Sequence, residues 1–351
     1  MFPGKLAQRH PFGPTLRKYA TDGCPVDIQE DWTLEELDAA VAYGAHPSAE
    51  TPEASAACRQ EALEKVQQNL AKLVPWKRLR KLILAGLKRH TKVSPVAAIP
   101  HKSRLFRMIL DLSTKGQRKS HTQSVNELTN ETTAPAHSML QLGNVLGRFI
   151  FMVATLPDHN GPILFCKLDI KDGFWRMVVP EDDQEQFCYV LPPDPNNPTD
   201  DIMIVVPAAL QMGWTSSPAF FCSATETGRD IAEFLQQQHD LPPHPLEHHM
   251  LDPIHPDLLT LPTLPDGPLL DQQCSQVSHL IECYVDDYCS LLQSTNPHAL
   301  RHHSRALLHA IHTSGTTTSK PPSTLGKEQQ PSSSHSTSRK ASQLDRGPTG
   351  S

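Results

Sequence analysis

Between Ser94 and Tyr288 the chain is written in short apolar runs, VAAI, FRMILDL, ILFCKLDI, FWRMVV, FCYVL, IMIVV and IECYV, each soon cut off by Pro, Gly or Asp. Runs this short, rich in β-branched and aromatic residues, predict strands. Helices are expected between them at residues 138–154 and 217–238, the second opening on Ser-Ser-Pro, since proline is tolerated in a first helical turn. Strands and helices mixed without a regular βαβ repeat favour an α+β fold over a doubly wound parallel sheet.

The flanks read differently. Residues 1–32 carry scattered Pro and Gly with no sustained periodicity, which predicts an extended arm. Residues 33–93 read as helical. Thr33 with Glu36 three positions on has the form of a capping box, and Gly44 suits a helix end. Residues 54–73 are rich in Ala, Glu, Gln and Lys, and Pro75 suits the first turn of a third helix with an apolar stripe of Leu79, Leu82, Ile83 and Leu87. Lys77, Arg78, Lys81, Lys88, Arg89 and Lys92 make this stretch basic: it fits a phosphate backbone, and equally a plain solvated face. Residues 240–271, dense in Pro, His and Leu, are expected to be a surface insertion, and the Ser/Thr/Pro-rich stretch 313–351 to be disordered. A hydrophobic content of 38% agrees with part of the chain staying out of a core.

Charge excludes one simple reading. With 32 Lys plus Arg against 38 Asp plus Glu, the net charge of −6 gives no general attraction for nucleic acid, so any such surface must be local. The cysteines form no C-x-x-C pair, which suits reduced thiols in an intracellular protein, and neither a signal peptide nor an 18-residue apolar span is expected. No P-loop and no G-x-S-x-G elbow occurs. His244, His248, His249 and His255 with Glu247 and Asp252 gather potential metal ligands, but Pro242, Pro243, Pro245, Pro253 and Pro256 break the regular spacing that a zinc site would want.

Three aspartates carry the chemistry. The apolar run 163–166 leads through Lys-Leu into Asp169, placing a carboxylate at the end of a predicted buried strand. In IECYVDDYCS, Asp286 and Asp287 sit side by side between β-favouring flanks, as at the tip of a hairpin. Taken singly, each has a plain structural reading, a turn-starting Asp beside Asp172 and Gly173 or a solvated Asp-Asp turn. Together they match what two-metal phosphoryl transfer needs: hard oxygen ligands that hold two Mg²⁺ ions about 3.5–4 Å apart, the ions activating a hydroxyl and stabilising a leaving oxygen.

These motifs resemble the fingers and palm of a retroelement reverse transcriptase, from about Pro95 to about Ala310 and best within 102–290. Tyr284-Val285-Asp286-Asp287 is similar to the family's Tyr-x-Asp-Asp box, and Asp169-Ile-Lys-Asp-Gly-Phe174 to its first palm motif. The resemblance implies a right-hand polymerase architecture with an antiparallel palm sheet, two Mg²⁺ ions on Asp169, Asp286 and Asp287 with Mn²⁺ as a possible substitute, and Phe174 as the residue that excludes a ribose 2′-hydroxyl. Leu210 to Phe220 resembles the motif whose Gly and Ser-Pro precede a helix beneath the incoming nucleotide, which assigns Met212 and Gly213 to that site. Lys102 and Arg107 resemble the fingers cations that grip the triphosphate. The implied partners are an RNA or DNA template with its primer and deoxynucleoside triphosphates, with no membrane. Met212 departs from the Gln often found in retroviral members. Nothing after Ala310 resembles a thumb, a connection, an RNase H or an integrase, so an inactive truncated remnant that at most binds nucleic acid is the alternative expectation. An RNA-templated RNA polymerase shares the metal logic but fits the aromatic at Phe174 poorly.

Overall fold

The first helices are set by their caps. In the computed structural model, which describes residues 4–102, 105–114, 122–135, 138, 142–194, 201–238, 240–247, 278–294 and 296–314, Thr33 accepts from the Glu36 amide while the Glu36 carboxylate accepts from Thr33, forming the expected capping box of α3 (Leu34–Tyr43). Thr51 caps α4 (Pro52–Gln67), whose proline occupies the first turn. Residues 1–32 differ from expectation. They form α1 (Lys5–Arg9) and α2 (Gly13–Asp22), because Ala7, Leu16, Tyr19 and Cys24 are buried in the main core, and burial supplies what a weak local pattern lacks.

Beyond α4 the expected helix stops early, and β1 (Ala71–Pro75) follows. It pairs antiparallel with β6 (Met203–Pro207), which also pairs with β5 (Tyr189–Val190), in a sheet ordered β1-β6-β5. The partner strand lies far along the sequence, so local propensity could not reveal β1. Pro75 then caps α5 (Trp76–Leu84), whose Trp76 and Leu79 pack with Leu37, Val41, Ile204 and Val206.

A β-hairpin of β2 (Val96–Pro100) and β3 (Phe106–Leu110) comes next, then the short α6 (Val125–Leu128) and α7 (Val145–Thr155), which begins later than expected. The third sheet, ordered β4-β8-β7, consists of β4 (Ile163–Asp169), β7 (Ser278–Tyr284) and β8 (Asp287–Gln293), all antiparallel. Its residues alternate between two faces as strand geometry requires. Ile163, Leu280, Cys289 and Leu291 pack with Val145, Phe149 and Met152 of α7 and with Leu156 just past its end. Ile281, Cys283 and Tyr288 join the main core with α8 (Ser217–Gln236) and α9 (Pro297–Ser314). There the Tyr288 hydroxyl donates to the Thr225 carbonyl at 2.8 Å, and only glycine fits at Gly228, where a Cβ would collide with that hydroxyl. The fold is mixed α+β with antiparallel sheets.

The run FWRMVV also departs from expectation. Phe174–Arg176 is a turn of 3-10 helix, and Val178 makes a single bridge to Ala209. All described residues belong to one compact unit, Met1–Thr317. The unit Thr318–Ser351 lies outside them, as do most of the expected insertion at 240–271 and nearly all of the expected disordered stretch at 313–351.

Candidate active site

The register of the third sheet puts the aspartates together. Asp169 ends β4 directly opposite Asp287, which opens β8 and pairs across the hairpin with Tyr284 at the end of β7. Val285 and Asp286 form the turn, and the Ile170 amide donates to the Asp286 carbonyl at 2.9 Å, tying the tip to the residue after Asp169. Each of the three carboxylates offers an oxygen within 4.8 Å of the other two. Val285 holds φ at 56°, a backbone region that costs a β-branched side chain about 1–3 kcal/mol.

Negative charge is in excess here. Burial pushes the Asp286 carboxyl above the ordinary carboxylate range; the charges of Asp287 and Asp169 push the same way, and Arg107 opposes them. Lys167 reaches one oxygen of Asp287 at 2.7 Å, and that ion pair holds the exposed ammonium above its usual value. The other oxygen of Asp287 is buried and has no hydrogen-bond partner. Carboxylate oxygens held this close, one of them unpartnered, could together hold a metal ion.

Beside the tip lies a cleft open to solvent. Asp286, Arg107, Phe174 and Met212 all line it. Arg107 projects from β3, and Phe174 rests edge-on against Phe221 of α8, ring centres 5.5 Å apart. Gly173 makes that fit possible, because a Cβ there would stand 2.7 Å from the Phe221 ring. Gly213 follows Met212 at φ 106°, where a Cβ would collide with the Leu110 carbonyl oxygen at the end of β3. Asn126 fixes this turn by donating to the Gly213 carbonyl at 2.8 Å and accepting from the Thr215 amide at 3.0 Å.

Lys102 stands apart from these residues. It is exposed and does not line the cleft. Conversely, Glu61, Trp175, Tyr189 and Gln211 line it without having been singled out in the sequence. Trp175 and Gln211 are chain neighbours of residues that were. Glu61 on α4 and Tyr189 on β5 arrive by long-range packing, and no local signal marks them.

Two other groups can be followed among the described residues. Of the basic residues near α5, Lys77 pairs with Asp201 at 2.5 Å and Lys88 with Glu185 at 2.8 Å, while Lys92 is buried with its ammonium unpartnered, so this is not one continuous cationic face. Burial lowers the Lys92 pKa to about 8. Of the expected histidine cluster only His244 and Glu247 are described. His244 faces His309 and His312, its Nε2 lying 3.4 Å from Nδ1 of His312. Its Nδ1 already accepts from the Leu246 amide, so a neutral ring has no second lone pair at Nε2 for a metal. Glu247 is bound by Arg305 and Arg301.

No protein-family model matches the chain, and no curated protein sequence matches it either. Among the described residues no helix is long and apolar enough to cross a membrane.

Proposed function

We propose that this chain is the fingers and palm of a retroelement-type RNA-directed DNA polymerase, adding deoxynucleotides to a primer 3′-hydroxyl on an RNA or DNA template. The observation that carries the reading is the convergence of Asp169, Asp286 and Asp287, from strand ends far apart in sequence, beside a cleft that also holds Arg107 and Phe174. Asp169 and Asp286, assisted by Asp287, would hold two Mg²⁺ ions, or Mn²⁺ in their place. When bound, such ions supply Lewis-acid stabilisation to the attacking and leaving oxygens of an in-line displacement. In that displacement the primer 3′-oxygen bonds to the α-phosphorus of the nucleotide, the hydroxyl proton is lost, and the bond to the bridging oxygen breaks to release pyrophosphate.

The chain's own residues divide the remaining tasks. Arg107, on the cleft wall and within electrostatic reach of Asp286, suits a phosphate of the incoming nucleotide, for which a guanidinium fork is the matching donor. Phe174, which lines the cleft and is braced by Phe221, would be the aromatic that excludes a ribose 2′-hydroxyl. The turn at Gly213 brings backbone close to the end of β3 and shapes the floor beneath a base pair. Lys102 would join the triphosphate contacts only if the segment carrying it approaches the cleft.

The purified chain, given a poly(rA) template, an oligo(dT) primer, dTTP and Mg²⁺, is expected to extend the primer, and the Asp286→Asn variant is expected not to. Nucleic-acid binding without incorporation by the wild type would overturn the polymerase reading in favour of a non-enzymatic one.

A further inference from the structure

The segment that follows Asp169 forms much of one cleft wall: Asp172, Gly173, Phe174 and Trp175 all line it. Its backbone is unusual, since Asp172 holds φ at 56°, and Gly173 must pass against the Phe221 ring. A segment bent this way keeps its shape only if its side chains are fixed from outside. Phe221 fixes it from α8. From α4 a second side chain does so: Lys65 is buried, places its ammonium 2.9 Å from an oxygen of Asp172, and lies 5.3 Å from the centre of the Trp175 ring. Within about 6 Å a cation over an indole face is attracted to it, so one ammonium grips the residues on either side of Gly173 and Phe174.

Helix geometry ties this grip to the opposite wall. Glu61 precedes Lys65 by one helical turn on α4 and therefore shares its face. Glu61 itself lines the cleft and accepts from the Met108 amide at 3.4 Å, next to Arg107 on β3. One helix thus spans the cleft, reaching the Arg107 side through Glu61 and the Phe174 side through Lys65.

We propose that Lys65 is a positioning residue for sugar selection: by holding Asp172 and Trp175 it fixes Phe174 at the distance from the substrate that separates deoxyribose from ribose. This rests on the polymerase reading above. Without the ammonium, Asp172 turns toward solvent, Trp175 loses its cation, and the Phe174 ring gains room to retreat. Misplacement of a selecting group by a fraction of an ångström is enough to change a ratio of rates.

The test compares incorporation of dATP and ATP on a poly(rU) template by the full chain and by Lys65→Met, Lys65→Arg, Asp172→Asn and Phe174→Ala. Lys65→Met and Asp172→Asn are expected to lower the dATP/ATP ratio of kcat/KM by about tenfold, and Lys65→Arg to restore most of it. Lys65→Met added to Phe174→Ala is expected to lower the ratio no further than Phe174→Ala alone. A purely structural role would cut both rates by one factor and leave the ratio at the wild-type value, and that result overturns the proposal. An unchanged ratio in Phe174→Ala, with Lys65→Met altering it, would instead refute the selecting role of Phe174 and with it the route proposed for Lys65. If the wild type incorporates neither nucleotide, the polymerase reading itself fails. Trp175 emission, taken as the difference between each protein and its Trp175→Phe counterpart, then decides the Lys65 grip alone: a shift in Lys65→Met supports it, and identical emission overturns it.

Discussion

The hairpin of β7 and β8 carries carboxylates under two opposite regimes. Glu282, within β7, is almost fully buried and receives a fork from Arg148 of α7, through Nε to one oxygen and through a terminal nitrogen at 2.7 Å to the other; Arg229 of α8 stands 3.8 Å away. Two guanidiniums thus serve one carboxylate, and the pairing joins the strand to both covering helices. At the tip the ratio reverses. Among the described residues, Asp169, Asp286 and Asp287 share one close ammonium, from Lys167, and the more distant influence of Arg107, while an oxygen of Asp287 has no partner. A sheet that matches charge so fully at Glu282 had the means to do so at the tip. The excess of negative charge there weakens the fold and makes sense as a place kept for a cation.

The contrast is broken most directly at Asp286. On the proposed polymerase reading, Asp286→Asn should reduce primer extension by about 10³-fold or more, since it would remove a cation ligand beside the reacting atoms. The same change removes one of three crowded charges, so the thermal midpoint without added metal should hold or rise. A clear fall in midpoint would mean that the tip carboxylates support the fold as Glu282 does. Arg148→Ala should show the opposite pattern, a loss of about 3 kcal/mol in urea unfolding, because it strips the fork from a buried carboxylate. A loss below about 1 kcal/mol would show that Arg229 alone can neutralise Glu282.

How far these regions could be read in advance follows the same division. The tip was legible because its constraints are local: two aspartates framed by strand on both sides, and Asp169 closing an apolar run. The helix at Ser217–Gln236 was equally legible, its start fixed by Pro218 and its length close to that expected. Glu282 looked like any polar residue in a strand, since Arg148 and Arg229 come from helices distant in sequence. For the same reason the sequence of β1 reads as helix and that of Lys5–Arg9 and Gly13–Asp22 as an arm, and Glu61 and Tyr189 carry no local mark of their place beside the cleft. The run FWRMVV has strand composition, yet the packing of Gly173 and Phe174 against Phe221 forces a tight turn on it.

A smaller effect sharpens the picture on the α9 side, where a titratable group is also left without a partner. His303 is buried, and neither ring nitrogen has a hydrogen-bond partner. Burial, with His279 and His302 nearby, lowers its pKa from 6.5 to about 3. Between those two values the unfolded chain takes up a proton that the folded chain refuses, so stability must fall as pH drops below 6.5 and go on falling to about 3. At pH 5 the loss relative to pH 7 should be about 2 kcal/mol from this residue. His244, lowered to about 4 with burial as its first cause, acts with the same sign. Urea unfolding at pH 7 and pH 5 checks this: His303→Leu should be markedly less sensitive to acid, and equal sensitivity in the two proteins would assign the acid response elsewhere.

The smallest expected effect separates strain from charge at the tip itself. Val285 sits at φ 56°, costly for a β-branched residue, while its side chain packs partly buried against the main core. Asparagine adopts that backbone far more readily, so Val285→Asn relieves strain but loses packing, and the two changes oppose each other within about 1 kcal/mol. The turn is pinned on both sides, by the Tyr284 and Asp287 pairing and by the Ile170 amide on the Asp286 carbonyl. The carboxylates should therefore keep their places, and primer extension should change by less than about threefold, well short of one full kcal/mol in a barrier. If extension instead falls as far as in Asp286→Asn while the midpoint holds, the strained turn rather than the register of the sheet is what aims Asp286, and the site depends on a conformation that the rest of the fold resists.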